Sequence, residues 1–292
     1  MNIWKKIVLS VFSLGICFGI WGLVSTSDTA QAVDASGGPF TVFIQAGHSP
    51  SSVGVGNKAN GVKESKINEE VTIKFYNSLK ARGINAVLVN PITLNSTLPS
   101  VIKTGPNPSN KQYQYYSPEP AMLTAITKPW TFDASLKAKP DLVLALHHNG
   151  WTSSAANGYE LYYSSDTSAG EYGKTAQDAA RSREMALLID AQFRKPSFHL
   201  IPRSPSVKDD STNNGITRRA PAPSVLIEAG FMSNPADFAA MQNAGNQQML
   251  ADRIADAVVL YRDKYSQDTP PKLNSLTTSP TPTKNPIFTL NM

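Results

Sequence analysis

Residues 141–150 read Asp-Leu-Val-Leu-Ala-Leu-His-His-Asn-Gly, and this stretch decides the fold of the chain. The apolar run 142–146 has the length and composition of a strand that is covered on both faces. Two of the chain's four histidines, His147 and His148, follow it directly. Ligands of open α/β sheets collect outside the carboxyl ends of strands, so this position favours a functional site. An isolated His-His pair is a weak signal, and the alternative is two ordinary polar residues at a strand end.

The segments around this strand alternate between strand and helix patterns. Those that read as further strands are 40–46, 84–90, 158–163 and 224–227. Those that carry an apolar stripe at helical spacing are 67–79, 175–193 and 250–265. This order predicts an α/β fold in which the first two strands pair in parallel. Ser65 is expected to cap the first helix, and residues 205–214 are expected to form a mobile polar loop.

The first residues predict a secretory signal peptide over residues 1–32. Lys5 and Lys6 form a basic start, residues 7–24 are apolar, and Ala30-Gln31-Ala32 offers a cleavage site between small residues. The apolar segment is long for a signal peptide, so an uncleaved membrane anchor is the alternative.

Three further segments lack the pattern of a folded core. Residues 33–39 are expected to be a short flexible lead-in, and residues 266–292, rich in Pro, Thr and Ser, a disordered tail. Residues 91–140 form a Pro- and Tyr-rich excursion in which the periodicity dissolves. This excursion is either a lid or substrate wall whose aromatic rings stack on sugars, or an insertion packed against the body of the protein.

Composition narrows the class of protein. Cys17, the only cysteine, lies inside the predicted signal peptide, so the mature chain is expected to have no disulfide and no thiol chemistry. The formal net charge is +5 for the full sequence and +4 once residues 1–32 are removed. Such a mildly cationic surface suits loose attraction to an anionic wall or membrane, or simply solubility. No dense Lys/Arg cluster interleaved with aromatics occurs, so nucleic acid is not an expected partner.

Four residues in separate segments form a candidate catalytic set. His48 follows the first strand, Glu64 precedes the first helix, His147 follows the third strand and Glu228 follows the strand 224–227. Two imidazoles and a carboxylate are the ligands of a catalytic zinc, with the fourth position open to water. Glu228 would then take a proton from that water as it attacks a carbonyl group. The set predicts a metal-assisted hydrolase of amides or esters.

Each carboxylate also has a structural alternative. Glu64 could simply place favourable negative charge at a helix N-terminus. Glu228 could be a buried acid that pairs with Arg218 or Arg219.

The sequence around these residues resembles a known family. The blocks that carry the resemblance are Ala46-Gly47-His48, then Glu64 ahead of a helix, then Leu146-His147-His148-Asn149, and last Val225-Leu-Ile-Glu-Ala-Gly-Phe-Met-Ser-Asn234. Their order and spacing are similar to those of the zinc-dependent N-acetylmuramoyl-L-alanine amidases called amidase type 3. The resemblance covers residues 41–265, and the last block is its most specific part.

This resemblance implies one catalytic domain, residues 40–265, with a central, mostly parallel mixed sheet of about six strands and helices on both faces. It implies one zinc ion held by His48, Glu64 and His147, with Glu228 as the catalytic acid/base. It selects His147 over His148 as the ligand. The implied reaction is hydrolysis of the amide between N-acetylmuramic acid and L-alanine. Further residues expected to contact substrate are His148, Asn149 and Arg218.

The resemblance also implies partners and a location. The expected substrate is peptidoglycan, the membrane is met only through an uncleaved leader, and the protein acts as a monomer. Together with the predicted signal peptide, this places the protein in the periplasm or cell wall of a bacterium, after secretion across the cytoplasmic membrane.

The chain departs from the family pattern at several positions. Gln45 stands before Ala-Gly-His where an acid is common, and Ser49-Pro50 stand where Gly-Gly is common. The chain also has no arginine between Arg82 and Arg181, a region where the family usually has one, which leaves substrate preference open. Two other functions remain as alternatives: a zinc peptidase of the carboxypeptidase type that acts on wall peptides, and a catalytically inactive wall-binding protein.

Overall fold

The computed structural model describes residues 40–48, 57–89, 140–167, 174–212, 215–220 and 222–265, with a few positions between 92 and 132. The predicted signal peptide, the lead-in and the tail lie outside the described residues, as does most of the excursion 91–140. Within the described part of the chain, no helix has the length and apolar character needed to cross a membrane.

The described residues form ten strands and five helices. The strands are β1 (Thr41–Ala46), β2 (Lys58–Ala59), β3 (Val62–Lys63), β4 (Asn85–Leu88), β5 (Ile102–Thr104), β6 (Thr131–Phe132), β7 (Leu142–Asn149), β8 (Tyr159–Tyr163), β9 (Pro202–Asp209) and β10 (Ser224–Phe231). The helices are α1 (Glu64–Ala81), α2 (Ala176–Phe193), α3 (Gly215–Arg219), α4 (Pro235–Met241) and α5 (Ala244–Tyr265).

A six-stranded sheet with the order β4-β1-β7-β10-β8-β9 forms the centre of the fold. All its neighbours pair in parallel except β10 and β8, which are antiparallel. The two remaining pairs, β2-β3 and β5-β6, are small and antiparallel. The prediction of a mostly parallel mixed sheet of about six strands, with the first two strands parallel, is therefore confirmed.

Helices cover both faces of this sheet, as expected. Leu144, Leu146 and Ile227 face the layer that contains the buried stripes of α1, α2 and α5. Val143 and Leu226, one residue along the same strands, face the opposite layer, which contains Ile216 and Ala220 from α3 and the residue after it. Because successive side chains of a strand point to opposite faces, the uninterrupted apolar run of β7 fills both layers. Each fully buried aliphatic or aromatic side chain stabilises the fold by roughly 1.5–3 kcal/mol.

One predicted loop is a strand. Residues 205–214 were expected to be a mobile polar loop, but β9 runs through residues 202–209 at the edge of the sheet, parallel to β8. An edge strand needs only one hydrogen-bonded neighbour and tolerates proline and polar side chains, so its sequence lacks the apolar alternation of an inner strand. The prediction was wrong because it relied on that alternation.

Two smaller predictions also fail. Ser65 does not cap α1: the helix begins at Glu64, and Lys63 occupies the N-cap position without a side-chain cap bond. The backbone N–H of Glu64 donates instead to the carbonyl oxygen of Asn57, 2.9 Å away. The excursion 91–140 is not wholly irregular either, because β5 and β6 pair within it.

Candidate active site

The two adjacent histidines lie inside β7 rather than after it, and they point to opposite faces of the sheet. His147 lies on the same face of the sheet as Val143 and Ala145, whereas His148 lies on the opposite face, which packs against α1. The His148 ring is 1% exposed, and its Nδ1 lies 2.7 Å from Oδ1 of Asn68, to which it donates. Because side chains alternate along a strand, His147 points to one face at the end of the sheet and His148 points into the layer between the sheet and α1.

Three of the predicted site residues come together at this end of the sheet. His48, Glu64 and His147 each offer one donor atom, and these atoms all lie within 4.8 Å of one another. Oε1 of Glu64 is 3.4 Å from Nε2 of His48 and 3.3 Å from Nδ1 of His147. The two imidazole rings meet edge to face, with centroids 4.8 Å apart. A β1 end, a helix start and a β7 end therefore converge on one point, and this group could hold a metal ion.

The backbone around His48 is shaped for this approach. His48 has a φ of 51°, a left-handed conformation that is uncommon for residues other than glycine and that clusters at functional sites. A Cβ at Gly47 would lie 2.5 Å from the His147 ring, so only glycine allows the ring its present position. The Ala-Gly-His block thus has a steric reason for its glycine.

Besides its contact with His147, the Glu64 carboxylate accepts four hydrogen bonds from Asn57, Asn68 and the backbone of His148, and the residue is 1% exposed. Oε2 accepts from the backbone N–H and the Nδ2 of Asn57, at 2.8 and 2.9 Å. Oε1 accepts from Nδ2 of Asn68 and from the backbone N–H of His148, both at 3.2 Å. Nδ2 of Asn68 also donates to the carbonyl oxygen of Gly47, 2.8 Å away. Glu64 is therefore fixed in orientation from both sides.

The sequence analysis missed both asparagines. Asn68 stands four residues after Glu64, one turn further along the same helix face, and that spacing could have identified it. Asn57 lies in a turn-rich region and carries no comparable signal.

The protonation states of Glu64 and His48 at neutral pH are those that bind a metal ion. Burial opposes the ionisation of Glu64, but the hydrogen bond with His147, the nearby imidazoles and the Asn57 N–H outweigh it and hold the pKa of Glu64 well below its ordinary value. Burial, assisted by His147 and opposed by Glu64, lowers the pKa of His48 to about 4. At neutral pH the group therefore contains a carboxylate and a neutral His48 imidazole, the forms that bind metals.

Glu228 lies beside this group, within β10. Its Cα pairs with that of His147 on one neighbouring strand and with that of Glu160 on the other, so the three side chains share a face of the sheet. Oε2 of Glu228 is buried and has no hydrogen-bond partner among the described residues. Burial first, and then the charges of Glu64 and Glu160, raise the pKa of Glu228 well above its ordinary value. A carboxyl group in this environment is suited to accept and return a proton.

The arginine pairing considered for Glu228 is not observed at Arg218. The Arg218 guanidinium contacts Asp166 instead, at 3.1 Å from Nε to Oδ2. The side chain of Arg219 lies outside the described residues.

The remaining predicted residues occupy different surroundings. Asn149 lies at the end of β7, and its Nδ2 donates to Oε2 of Glu160, 3.0 Å away. His148 is buried against Asn68, and Arg218 is engaged with Asp166. Contact of these three residues with substrate stays a prediction.

Comparison with known sequences identifies related proteins. A family model described as N-acetylmuramoyl-L-alanine amidase (Amidase_3) matches residues 42–259. The N-acetylmuramoyl-L-alanine amidase LytC of Bacillus subtilis is 26% identical over 221 residues, which are 76% of this chain and 35% of LytC. The probable cell wall amidase LytH of Staphylococcus aureus is 28% identical over 123 residues, 42% of this chain and 36% of LytH. The alignments thus span about a third of the length of these curated relatives.

Solved structures share the fold. The amidase Ami1 of Mycobacterium smegmatis superposes with a TM-score of 0.55 at 19% identity, over 77% of this chain and 97% of that one. The CwlD amidase of Clostridioides difficile, solved in complex with the GerS lipoprotein, superposes with a TM-score of 0.54 at 21% identity, over 77% and 98%. At this level of identity the likeness concerns the fold alone.

Proposed function

The chain belongs to the Amidase_3 family of N-acetylmuramoyl-L-alanine amidases, and from that premise we propose that it hydrolyses the amide between N-acetylmuramic acid and the L-alanine of the peptidoglycan stem peptide. The observation that carries this proposal is the convergence of His48, Glu64 and His147 within 4.8 Å, with Glu228 on the neighbouring strand. All four residues are present in this chain and none is replaced by a residue without a ligand or acid/base group. The inactive wall-binding alternative is therefore disfavoured.

Zinc is the metal that this group of residues fits. Two imidazoles and one carboxylate are a set found in catalytic zinc sites, which leave one coordination position open. Nδ1 of His48 is buried without a hydrogen-bond partner in the described residues, a polar atom that a bound cation or its surroundings could satisfy. When bound, one zinc ion supplies Lewis acidity, which lowers the pKa of water and polarises a carbonyl group.

The residues around the three ligands hold them in place. Asn57 and Asn68 donate to the Glu64 carboxylate and orient it, and the buried His148 ring fixes Asn68 in turn. Such surrounding hydrogen bonds commonly change metal affinity by 10–100-fold when removed. His148 therefore acts on the site through Asn68 rather than as a ligand.

Glu228 moves the proton in the proposed reaction. Its carboxylate takes a proton from the water that attacks the amide carbonyl, and the same group returns the proton to the alanine nitrogen as the C–N bond breaks. Burial and the charges of Glu64 and Glu160 raise the pKa of Glu228, which favours its protonated form and so helps it to hold the proton before returning it. The products are the lactyl carboxylate on the glycan and a peptide that begins with free L-alanine.

We also propose that the protein acts outside the cytoplasm. The substrate of the reaction is a wall polymer, and the residues 1–32 have the pattern of a secretory signal peptide. LytH, one of the related proteins, is described as a probable cell wall amidase, which supports the same location.

Mass spectrometry of the soluble products from purified peptidoglycan tests this proposal. We expect intact stem peptides that begin with L-alanine, formed by the untreated protein and absent after treatment with a chelator. A carboxypeptidase-type enzyme would release single amino acids instead. Release of single amino acids, or of stem peptides at an equal rate in excess chelator, would overturn the proposal.

A further inference from the structure

A small pocket is lined by Glu160, the residue that stands opposite Glu228 in the sheet, and the proposed chemistry assigns this pocket no role. Its volume is about 240 Å³, and its walls include Asn149, Glu160, Tyr162, Arg203 and Lys208. We call it the donor pocket, after the N–H groups of Arg203 and Lys208 in its wall. Pockets that enclose whole small molecules usually measure about 300–1,000 Å³, so this one is of a size to take one group of a larger substrate.

The register of the sheet places the donor pocket next to the reacting centre. Glu160 stands opposite Glu228 on the antiparallel neighbour β8, which puts their Cβ atoms about 5 Å apart. Asn149 lies two residues beyond His147 on the same face of β7, about 7 Å along the strand. An extended peptide covers this distance in about two residues.

Both carboxylate oxygens of Glu160 in the pocket already have hydrogen-bond or ion-pair partners. Oε1 of the buried Glu160 lies 2.6 Å from Nζ of Lys208 and 2.9 Å from Nε of Arg203. Oε2 of Glu160 accepts from Nδ2 of Asn149 at 3.0 Å and from the hydroxyl of Tyr162 at 2.8 Å. Glu160 therefore has little capacity to accept further hydrogen bonds from a ligand.

The donor atoms of the pocket are not used up. Arg203 contacts Glu160 through Nε and lies over the ring of Phe231, 4.7 Å from its centroid, and its two terminal nitrogens donate to no residue in the described part of the chain. The ammonium of Lys208 has two further N–H groups beyond the one directed at Glu160. The side chains of Arg203 and Lys208 are 36% and 28% exposed, so both are open to a ligand. Two cations face one carboxylate, which leaves the pocket with an excess of positive charge.

We propose that the donor pocket binds a free carboxylate of the stem peptide, that of the residue directly after the L-alanine. The terminal nitrogens of a guanidinium form a planar fork that matches a carboxylate, and Lys208 adds a second charge. The glycan next to the scissile amide offers only neutral hydroxyl and acetamido groups, whereas the peptide carries carboxylates, so the pocket faces the departing peptide. This inference rests on the proposed function and specifies its substrate.

A matched pair of substrates tests the donor pocket. Two substrates are used, both N-acetylmuramoyl-L-alanyl-D-glutamate with the γ-carboxyl capped as a methylamide, and they differ only in whether the glutamate α-carboxyl is a free carboxylate or a carboxamide. We expect the full-length, zinc-loaded chain to cleave the carboxylate substrate with a kcat/KM about tenfold higher, the difference that one charge-assisted pair supplies. Arg203→Gln should remove most of this preference by slowing the carboxylate substrate alone. Arg253→Gln, an arginine on α5 outside the pocket, should leave both rates unchanged.

The outcomes separate the pocket from the chemistry. Equal cleavage of the two substrates, or an equal loss for both in Arg203→Gln, would overturn the donor pocket and leave the proposed function standing. If neither substrate is cleaved, peptide release from purified peptidoglycan decides the proposed function, and calorimetry decides the pocket independently. Tighter binding of L-alanyl-D-glutamate γ-methylamide, which has a free α-carboxylate, than of its α-carboxamide to the wild-type chain, lost in Arg203→Gln, supports the pocket, and equal binding contradicts it.

Discussion

His147 and His148 are chemically identical neighbours with different surroundings. The pleat of β7 turns His147 towards Glu64 at the end of the sheet and turns His148 towards Asn68 in the layer of α1. A sequence pattern can indicate that a histidine at this position matters. Only the alternation of the strand explains why one of them reaches a metal and the other supports the residue that orients Glu64.

The two histidines should therefore respond differently to removal. We expect His147→Ala to lose zinc altogether, because a ligand is missing. His148→Ala should still bind one zinc per chain, but 10–100-fold more weakly, since Asn68 loses its anchor. Titration with zinc, followed by elemental analysis of the dialysed protein, measures both.

His199→Ala serves as the histidine control, because His199 is not one of the three residues of the metal-binding group and does not contact Asn68, so this variant should keep full zinc affinity. Retention of zinc by His147→Ala together with its loss from His148→Ala would reverse the assignment.

The turn from β10 into α4 explains the most specific block of the sequence. Gly230 has a φ of 98°, a conformation that strongly favours glycine, at a point where the pairing of β10 shifts register. Asn234 caps α4 by accepting from the backbone N–H groups of Ala236 and Asp237. The Asp237 carboxylate accepts from the N–H of Phe231 at 2.9 Å. The block thus ties the strand that carries Glu228 to the helix that follows it.

Removal of this cap should weaken the fold without removing the metal. We expect Asn234→Ala to lower the free energy of unfolding by about 0.5–2 kcal/mol, the usual cost of an N-cap. Activity should fall as well, because the end of β10 loses its anchor beside Glu228. Denaturant titration and peptide release from peptidoglycan measure the two effects.

Asn243→Ala is the control for this variant. The Asn243 side chain accepts from the N–H groups of Gly245 and Asn246 at the start of α5, away from β10. It should destabilise the fold comparably and leave activity per folded molecule unchanged. Equal activity in the two variants would contradict the role given to the β10–α4 turn.

A second connection between elements predicts a pH dependence of stability. Asp190 of α2 accepts from the Tyr159 hydroxyl at 2.8 Å, from Ser206 at 2.7 Å and from Nε of Arg194 at 2.6 Å, which links α2 to β8 and β9. Burial opposes ionisation, but the bonds from Arg194, Ser206 and Tyr159 outweigh it and lower the pKa of Asp190.

A carboxylate whose pKa is lower in the folded state stabilises the fold above its ordinary pKa of about 4, and this stabilisation is lost as the pH falls through the folded pKa. We therefore expect Asp190→Asn to be less stable than the wild type at neutral pH, with a difference that shrinks below about pH 4. Denaturant titrations of both proteins in chelator, which keeps metal release out of the comparison, measure it. A difference that grows as the pH falls would contradict the expected pKa shift.

Across the whole molecule, the sequence was sufficient to predict those helices and strands whose buried residues recur at a regular spacing. The stripe Ile67, Val71, Phe75 and Leu79 predicts α1, and the apolar run of residues 142–146 predicts β7, because both patterns follow from the geometry of their element. The convergence of His48, Glu64 and His147 was expected from their positions at element ends and from the family resemblance. Their geometry agrees with that expectation.

The edge strand and the contacts around Glu160 could not be predicted, because they depend on which strands pair and in what register. The edge strand β9 has no alternation, and its register with β8 is what brings Lys208 and Arg203 to Glu160. The opposition of Glu160 and Glu228 likewise arises only from the antiparallel register of β8 and β10. Asn57 reaches Glu64 through a turn that no local pattern specifies.

The release of peptides with a new L-alanine N-terminus by zinc-loaded Glu228→Gln is the most direct test of the central claim. Glutamine keeps the size of the side chain but cannot exchange a proton, and Glu228 is not one of the three proposed ligands. We therefore expect this variant to hold the same one zinc per chain as the wild type while peptide release falls by about 10²–10⁴-fold. Undiminished peptide release by the zinc-loaded variant would contradict the mechanism.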